Sequence, residues 1–170
     1  MLSYYLELPA ATFLLLFAVC ILLPAVPITL IHRHIQPIPR AVWLLTVVVA
    51  TMVGLSLCTE IWFSKITISG RQIQIDGLRY QTQGEIARHG VTAVPGTLQQ
   101  YQLYRRNGLD LYWTRKGHFK LSDGPVYLAA GPGPLYQLTL TDGRRLWLSV
   151  APNQEPALLA LLDEQQLLKH

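Results

Sequence analysis

Charged residues are scarce in this chain of 170 residues. They make up 14% of it, whereas about a quarter is usual in a folded domain of this size. Residues 8–31 contain no Asp, Glu, Lys or Arg, and residues 41–63 contain only Glu60. Because hydrophobic residues reach 51%, this composition excludes a disordered tail and argues against an ordinary water-exposed globular domain.

The chain also has few cysteines and none of the common catalytic motifs. The chain has two cysteines, Cys20 and Cys58, one in each apolar run, which excludes a disulfide framework for the remainder. We find no nucleophile elbow, phosphate loop, dinucleotide fingerprint or zinc-type cysteine pair. Asp110, Asp123 and Asp142 lie in or beside predicted turns rather than in an acid–base pair. The sequence therefore predicts a protein that is not an enzyme and uses no cofactor or metal.

Two long apolar runs are present instead, at residues 8–31 and 41–63. A helix that crosses a bilayer needs roughly 20 apolar residues, so each run is long enough to span. The link between them is short and contains two prolines, which favours antiparallel neighbours. We expect residues 1–63 to form a transmembrane hairpin in contact with membrane lipids, and the protein to be a multi-pass protein of the cell (inner) membrane. The flanking basic residues support either orientation.

Three ionisable side chains in this region are candidate functional groups. Glu60 either handles ions or protons within a span, or is a carboxylate at the headgroup level near Lys65. His32 and His34 could hold a metal at the membrane surface. Two histidines that flank a cation, with no carboxylate nearby, make a poor site, so we favour contact with lipid headgroups.

The pattern changes to period two from Ser64 onward, which is typical of β-strands. About seven or eight short strands are predicted, and the segment 84–90 is interpreted as a short helical turn or irregular crossing. Residues 153–169 are predicted to form a terminal helix with an apolar stripe of leucines. The turn signals that separate the strands are Asp76-Gly77, Asn107-Gly108, Ser122–Pro125 and Thr141–Arg144.

Three segments of this domain carry a resemblance to a known family. They are Gly117–Gly124 (GHFKLSDG), Tyr136–Gly143 (YQLTLTDG) and the leucine-rich helix that Pro156 opens. In this order they resemble the bacterial proteins with a pleckstrin-homology (PH)-like domain, in which a transmembrane hairpin commonly precedes the domain. The resemblance implies an all-β PH-like barrel over residues 64–170, closed by a C-terminal capping helix. It does not imply phosphoinositide binding, because Ser69–Arg71 and Asp76-Gly77 contain no Lys/Arg cluster.

Basic residues beside the predicted turns form the candidate interaction surface. They could converge on one rim of the barrel and bind anionic lipid or an acidic partner. The other interpretation is a solvated strand edge that charge protects against aggregation. Nucleic acid is not expected, because the net charge is only +4. The residues of this surface are Arg105, Arg106, Arg115, Lys116, Lys120, Arg144 and Arg145.

Two functional hypotheses follow from these features. The first is a membrane-anchored PH-like interaction module without catalysis, which binds a protein partner in the same membrane or lipid headgroups. The alternative is an accessory or assembly subunit of a larger membrane complex. In that case the small residues Gly54, Ser56 and Thr59 of the second span would allow close helix packing.

Overall fold

The computed structural model describes residues 1–6, 10, 14, 18, 39–111 and 113–168. It divides into two units, one made of Met1–Leu8 with Glu60–His170 and the other of Pro9–Thr59. The predicted first span at residues 8–31 lies almost entirely outside the described residues. His32 and His34 lie outside them as well.

One long helix, α1, runs over Arg40–Trp62. Its Ala-, Leu- and Val-rich sequence has no interior proline, and Pro39 precedes its first residue. Thr46 and Thr51 each donate a hydroxyl hydrogen bond to the carbonyl four residues earlier, at 2.9 and 2.8 Å. Bonds of this kind satisfy polar side chains within the helix itself.

The expected transmembrane hairpin is not supported. Over the ranges that the structure describes, no helix has both the length and the apolar character needed to cross a membrane. The second predicted span also ends differently from the prediction, because Glu60 and Ile61 are buried in the unit that contains the strands. The predictions of a hairpin over residues 1–63 and of a multi-pass inner-membrane protein are therefore corrected.

A nine-stranded sheet forms most of the other unit. Its strand order is β1-β2-β3-β4-β8-β9-β7-β6-β5. All neighbouring strands are antiparallel except β7 and β9, which are parallel. The strands are β1 (Leu2–Tyr5), β2 (Lys65–Ser69), β3 (Gln72–Ile75), β4 (Thr82–Val94), β5 (Tyr104–Asp110), β6 (Arg115–Leu121), β7 (Gly124–Ala130), β8 (Leu135–Leu140) and β9 (Arg145–Ser149).

This topology contradicts the predicted PH-like barrel. A succession of hairpins cannot produce the parallel contact between β7 and β9, which places β9 between β8 and β7. In addition, β1 comes from the start of the chain and pairs with β2, so Leu2 lies opposite Ile68. The segment 84–90 belongs to β4 rather than to a helical turn. A register shift between Ile86 and Val91 explains why its alternation is irregular.

The alternating strands support two separate apolar cores. The larger core contains the isoleucines of β2 and β3 together with Tyr127, Leu138, Leu148 and other side chains. The smaller core contains Phe119, Leu128 and Trp147 and is joined by Leu98 from a 3-10 turn at Leu98–Gln100. Leu128 and Trp147 alternate along their strands with residues of the larger core, so the sheet carries a core on each face.

The predicted C-terminal helix is present but shorter than expected. Helix α2 covers Glu155–Glu164 and buries Leu158 and Leu162 in the larger core. It ends before residue 169, because Gln166 has a φ of 53°, which a continuing helix does not allow. Leu168 then forms an isolated bridge with Val91 of β4.

Candidate functional site

The seven cations predicted to share one rim lie in four different surroundings. Arg105, Arg106 and Lys120 are exposed on β5 and β6, whereas Lys116 is fully buried. Arg115 is partly covered at the far end of the same hairpin. Arg144 and Arg145 border a pocket at the turn between β8 and β9.

The three exposed cations and the neighbouring Tyr104 form a surface that we call the basic edge. Its residues are Tyr104, Arg105, Arg106 and Lys120. It lies on β5, the last strand of the sheet, and on the adjoining end of β6. Tyr104 is opposite Lys120 and is 66% exposed, and Arg105 is opposite Phe119. A register shift between Arg105 and Asn107 interrupts the alternation at Arg106, so the two arginines need not point to opposite faces.

No described salt bridge includes a residue of the basic edge. The five salt bridges between described residues use Arg71, Arg115, Lys116, Arg144 and Arg145. The strand register pairs Lys120 with Tyr104 and Arg105 with Phe119, so the three cations lie at neighbouring positions but none is directly opposite another.

Arg144 and Arg145 are instead neutralised by carboxylates in neighbouring turns. Arg144 Nε donates to Asp142 Oδ2 at 2.6 Å, and its Nη2 donates to the carbonyl of Gln83 at 2.8 Å. Arg145 donates to Asp123. The hydrogen bond from Arg145 lowers the pKa of Asp123, and the backbone N–H of Arg144 lowers the pKa of Asp142. These charges hold the hairpin turns rather than remaining free for a partner.

The pocket beside these turns has a volume of about 540 Å³. Its wall includes His118 and Tyr127, whose rings meet edge to face with centroids 5.2 Å apart. The two arginines and the two aspartates around it balance in charge. The pocket therefore has no net electrostatic preference for an anion or a cation.

Arg115 also has a structural role. Its Nε donates to Asp110 Oδ1 at 3.0 Å, and its Nη1 donates to the carbonyl of Leu98 at 3.3 Å. The residue joins the end of β5 to the 3-10 turn that covers the smaller core. Only the basic edge then remains of the predicted surface.

Lys116 lies at the centre of a buried ionic cluster. Its ammonium donates to Glu60 Oε1 at 2.9 Å, to Ser64 Oγ at 2.7 Å and to the carbonyl of Asp76 at 2.9 Å. Burial lowers the pKa of Lys116, while the hydrogen bond and charge of Glu60 act in the opposite direction. Since each of its three protons has an acceptor, the geometry is that of a charged ammonium.

Glu60 is neither an ion-handling group in a span nor a headgroup carboxylate near Lys65. It is buried, and the backbone N–H groups of Arg79 and Tyr80 donate to its carboxylate at 2.8 and 3.3 Å. Its charged partner, Lys116, is 56 residues away in sequence. No sequence spacing predicts an ion pair between two such distant residues. The only indication that Glu60 has a special role was its unusual position in an apolar run.

Gly77 shows how tightly this cluster is packed. A Cβ atom at this position would lie 1.9 Å from Lys116 Nζ and 2.6 Å from Glu60 Oε1. The glycine after Asp76, predicted as a turn residue, is therefore required by the close approach of the ion pair.

The pairing of Ser64 with Lys116 has the residue types of a nucleophile and its base. Both side chains are fully buried, so no substrate can reach the hydroxyl. Ser64 also donates its proton to the carbonyl of Glu60 at 2.5 Å. This arrangement stabilises the end of α1 against the loop between β3 and β4.

No metal centre is found within the described part of the chain, where no three His, Cys, Asp or Glu side chains come together to bind an ion. The resemblance to the PH-like family stays a prediction of the sequence, apart from the barrel fold corrected above. Comparison with known proteins adds no relative: no family model, no curated protein and no solved structure matches the chain.

Proposed function

We propose that this protein is a non-catalytic binding module whose basic edge binds an acidic segment of a protein partner. The observation that supports this proposal is the difference in charge pairing. Four of the seven candidate cations are compensated by carboxylates of the chain, whereas Arg105, Arg106 and Lys120 are exposed and occur in none of the described salt bridges.

The residue types of the basic edge suit such a partner. Arginine offers a planar set of donors that binds a carboxylate through two parallel hydrogen bonds. Tyrosine and arginine are also the residues most enriched where binding energy concentrates in protein interfaces. An exposed tyrosine beside two arginines and a lysine therefore combines apolar contact area with anion recognition.

The alternative explanation is protection of an edge strand, since charges and a bulge both discourage strand pairing between molecules. The two explanations differ in their dependence on the sign of the charge. Protection needs charge of either sign, whereas an acidic partner needs positive charge. Reversal of charge therefore separates them.

The test uses a fluorescein-labelled peptide of ten glutamates as the probe. We expect weak, salt-dependent binding that the pair Arg105→Gln and Arg106→Gln weakens about tenfold, because two charge-assisted contacts are lost. The control pair Arg79→Gln and Arg88→Gln removes the same charge from exposed positions elsewhere and should change the affinity less than twofold.

Charge reversal gives the second arm of this experiment. The variant with Arg105→Glu and Arg106→Glu should remain free of aggregation and lose the probe. If both glutamine pairs weaken binding equally, the probe senses only net charge and the proposal is wrong. Aggregation of the glutamine pair without any change in affinity would identify the basic edge as a protective device.

A further inference from the structure

Most of the exposed apolar side chains of α1 lie on one side of the helix. Large apolar side chains on that side are between 46% and 66% exposed: Val42, Leu44, Leu45, Val48, Val49, Met52, Val53 and Leu55. On the opposite side Trp43 is 44% exposed, whereas Thr46, Val47, Ala50 and Thr51 are only partly exposed. An apolar surface of this extent marks an interaction site.

The centre of the exposed side has the spacing of a coiled coil. Val42, Leu45, Val49, Met52 and Ser56 follow one another at intervals of three and four residues, which is the alternation of positions a and d in a heptad. Valine lies at the first two a positions, and leucine and methionine lie at the d positions. In parallel coiled coils, β-branched residues at a with leucine at d favour two strands.

We propose that the exposed side of α1 binds the same side of a second copy of this chain, as a parallel two-stranded coiled coil over residues 42–56. With about 80 Å² for each half-exposed side chain, the seven apolar residues other than Leu44 offer roughly 550 Å² per copy. The pair would then bury about 1,100 Å², above the roughly 1,000 Å² expected of a specific interface. The contact is self-complementary, as twofold symmetry requires.

This proposal does not depend on the proposed function, because the basic edge belongs to the other unit. It rests on the exposure and spacing of α1 alone. A dimer would place two basic edges in one assembly, but neither inference needs the other.

Two neighbouring leucines provide a matched test. Leu45 lies in the a/d seam and is 63% exposed, whereas Leu44 lies outside it and is 64% exposed. In the full chain with Cys20→Ser and Cys58→Ser, we compare Leu45→Cys with Leu44→Cys under mild oxidation in dilute non-ionic detergent. We expect a disulfide-linked dimer at position 45 at least five times as abundant as at position 44 on a non-reducing gel.

Sedimentation velocity supplies a second readout without new cysteines. Val49→Asp should convert the dimer to a monomer, while Leu44→Asp should leave the dimer in place, and circular dichroism checks that both variants fold. Equal crosslinking at positions 44 and 45, or a monomeric wild-type chain at about 50 μM, would overturn the proposal. Loss of the dimer in both aspartate variants would show non-specific apolar association and would overturn it too.

Discussion

The Lys116–Glu60 pair shows what a single buried charge does in this fold. Neither residue type belongs in an apolar interior, because the desolvation of each ion costs several kcal/mol. Here the cost is offset by three acceptors for the ammonium and by two backbone donors to the carboxylate in addition to Lys116. The effect of the pair on stability is therefore greatest when one of its two members is removed.

Replacement of this lysine should be strongly destabilising. We expect Lys116→Met to lower the free energy of unfolding by about 3–5 kcal/mol, because it leaves Glu60 buried without its charged partner. The double variant with Glu60→Gln should recover part of that loss. Lys120→Met, four residues away on the same strand but exposed, serves as the control and should stay within about 0.5 kcal/mol in urea unfolding. A loss below about 1 kcal/mol for Lys116→Met would contradict the buried pair.

Tyr136 predicts a dependence of stability on pH. Burial raises its pKa from 10.0 to about 12, and its hydrogen bond to Glu155 adds to the shift. The hydroxyl lies 2.5 Å from Glu155 Oε1 in the first turn of α2. A raised pKa of this acid favours the protonated form in the folded state, so its stabilisation is complete below pH 10 and is lost as the pH rises toward 12.

The corresponding measurement compares the wild-type chain with Tyr136→Phe. At pH 8.5 the variant should be less stable by about 1–2 kcal/mol, because it lacks a hydrogen bond to a charged group. At pH 11 this difference should shrink, since only the wild-type tyrosine must remain protonated on folding. Urea unfolding at both pH values measures this difference, and a constant difference would show that folding does not raise the pKa of Tyr136.

At the scale of single elements, β5 shows how a strong local signal can mislead. The dipeptide Asn107-Gly108 predicts a hairpin turn, but both residues lie inside β5. The glycine is needed because Gly108 lies opposite Gly117 of β6, and a Cβ atom would lie 2.5 Å from the carbonyl oxygen of Lys116. A glycine that allows two strands to approach closely can therefore produce the same dipeptide as a glycine that a turn requires.

This interpretation of β5 can be tested with two alanine variants. Gly108→Ala should destabilise the protein by about 2 kcal/mol or more through overpacking, whereas Asn107→Ala, at an exposed strand position, should be nearly neutral. In a type I′ turn both residues would need positive φ and both substitutions would be costly. Comparable losses for the two variants in chemical unfolding would therefore favour the turn.

Other elements were predictable because their signals are local. The turns Asp76-Gly77 and Thr141–Arg144 fall between paired antiparallel strands, and the leucine stripe predicts α2 through its helical spacing. The strand Leu2–Tyr5 was not predicted from the sequence. Its partner β2 lies about sixty residues later in the chain, so no local pattern indicates that the two strands pair. The position of β9 between β8 and β7 depends on packing across the whole sheet, which no short pattern encodes.

At the scale of the whole molecule, the average composition concealed two unlike parts. The scarcity of charge belongs to residues before Glu60, and the described structure does not support the hairpin inferred from it. The sequence identified the basic residues of the hairpin β5–β6 as part of an interaction surface. It did not show which of them form ion pairs with acidic residues. Whether a cation is free or compensated depends on acids brought close by folding, such as Glu60 for Lys116 and Asp123 for Arg145.

The pairing of β1 with β2 has a consequence for the time course of synthesis. Tyr5 pairs with Lys65, so the first strand leaves the ribosome about sixty residues before its partner does. At about 5–20 residues per second it waits roughly 3–12 s, with Tyr4 and Leu6, both buried in the finished fold, exposed to water and to chaperones. The first strand made therefore cannot join the sheet until β2 has emerged.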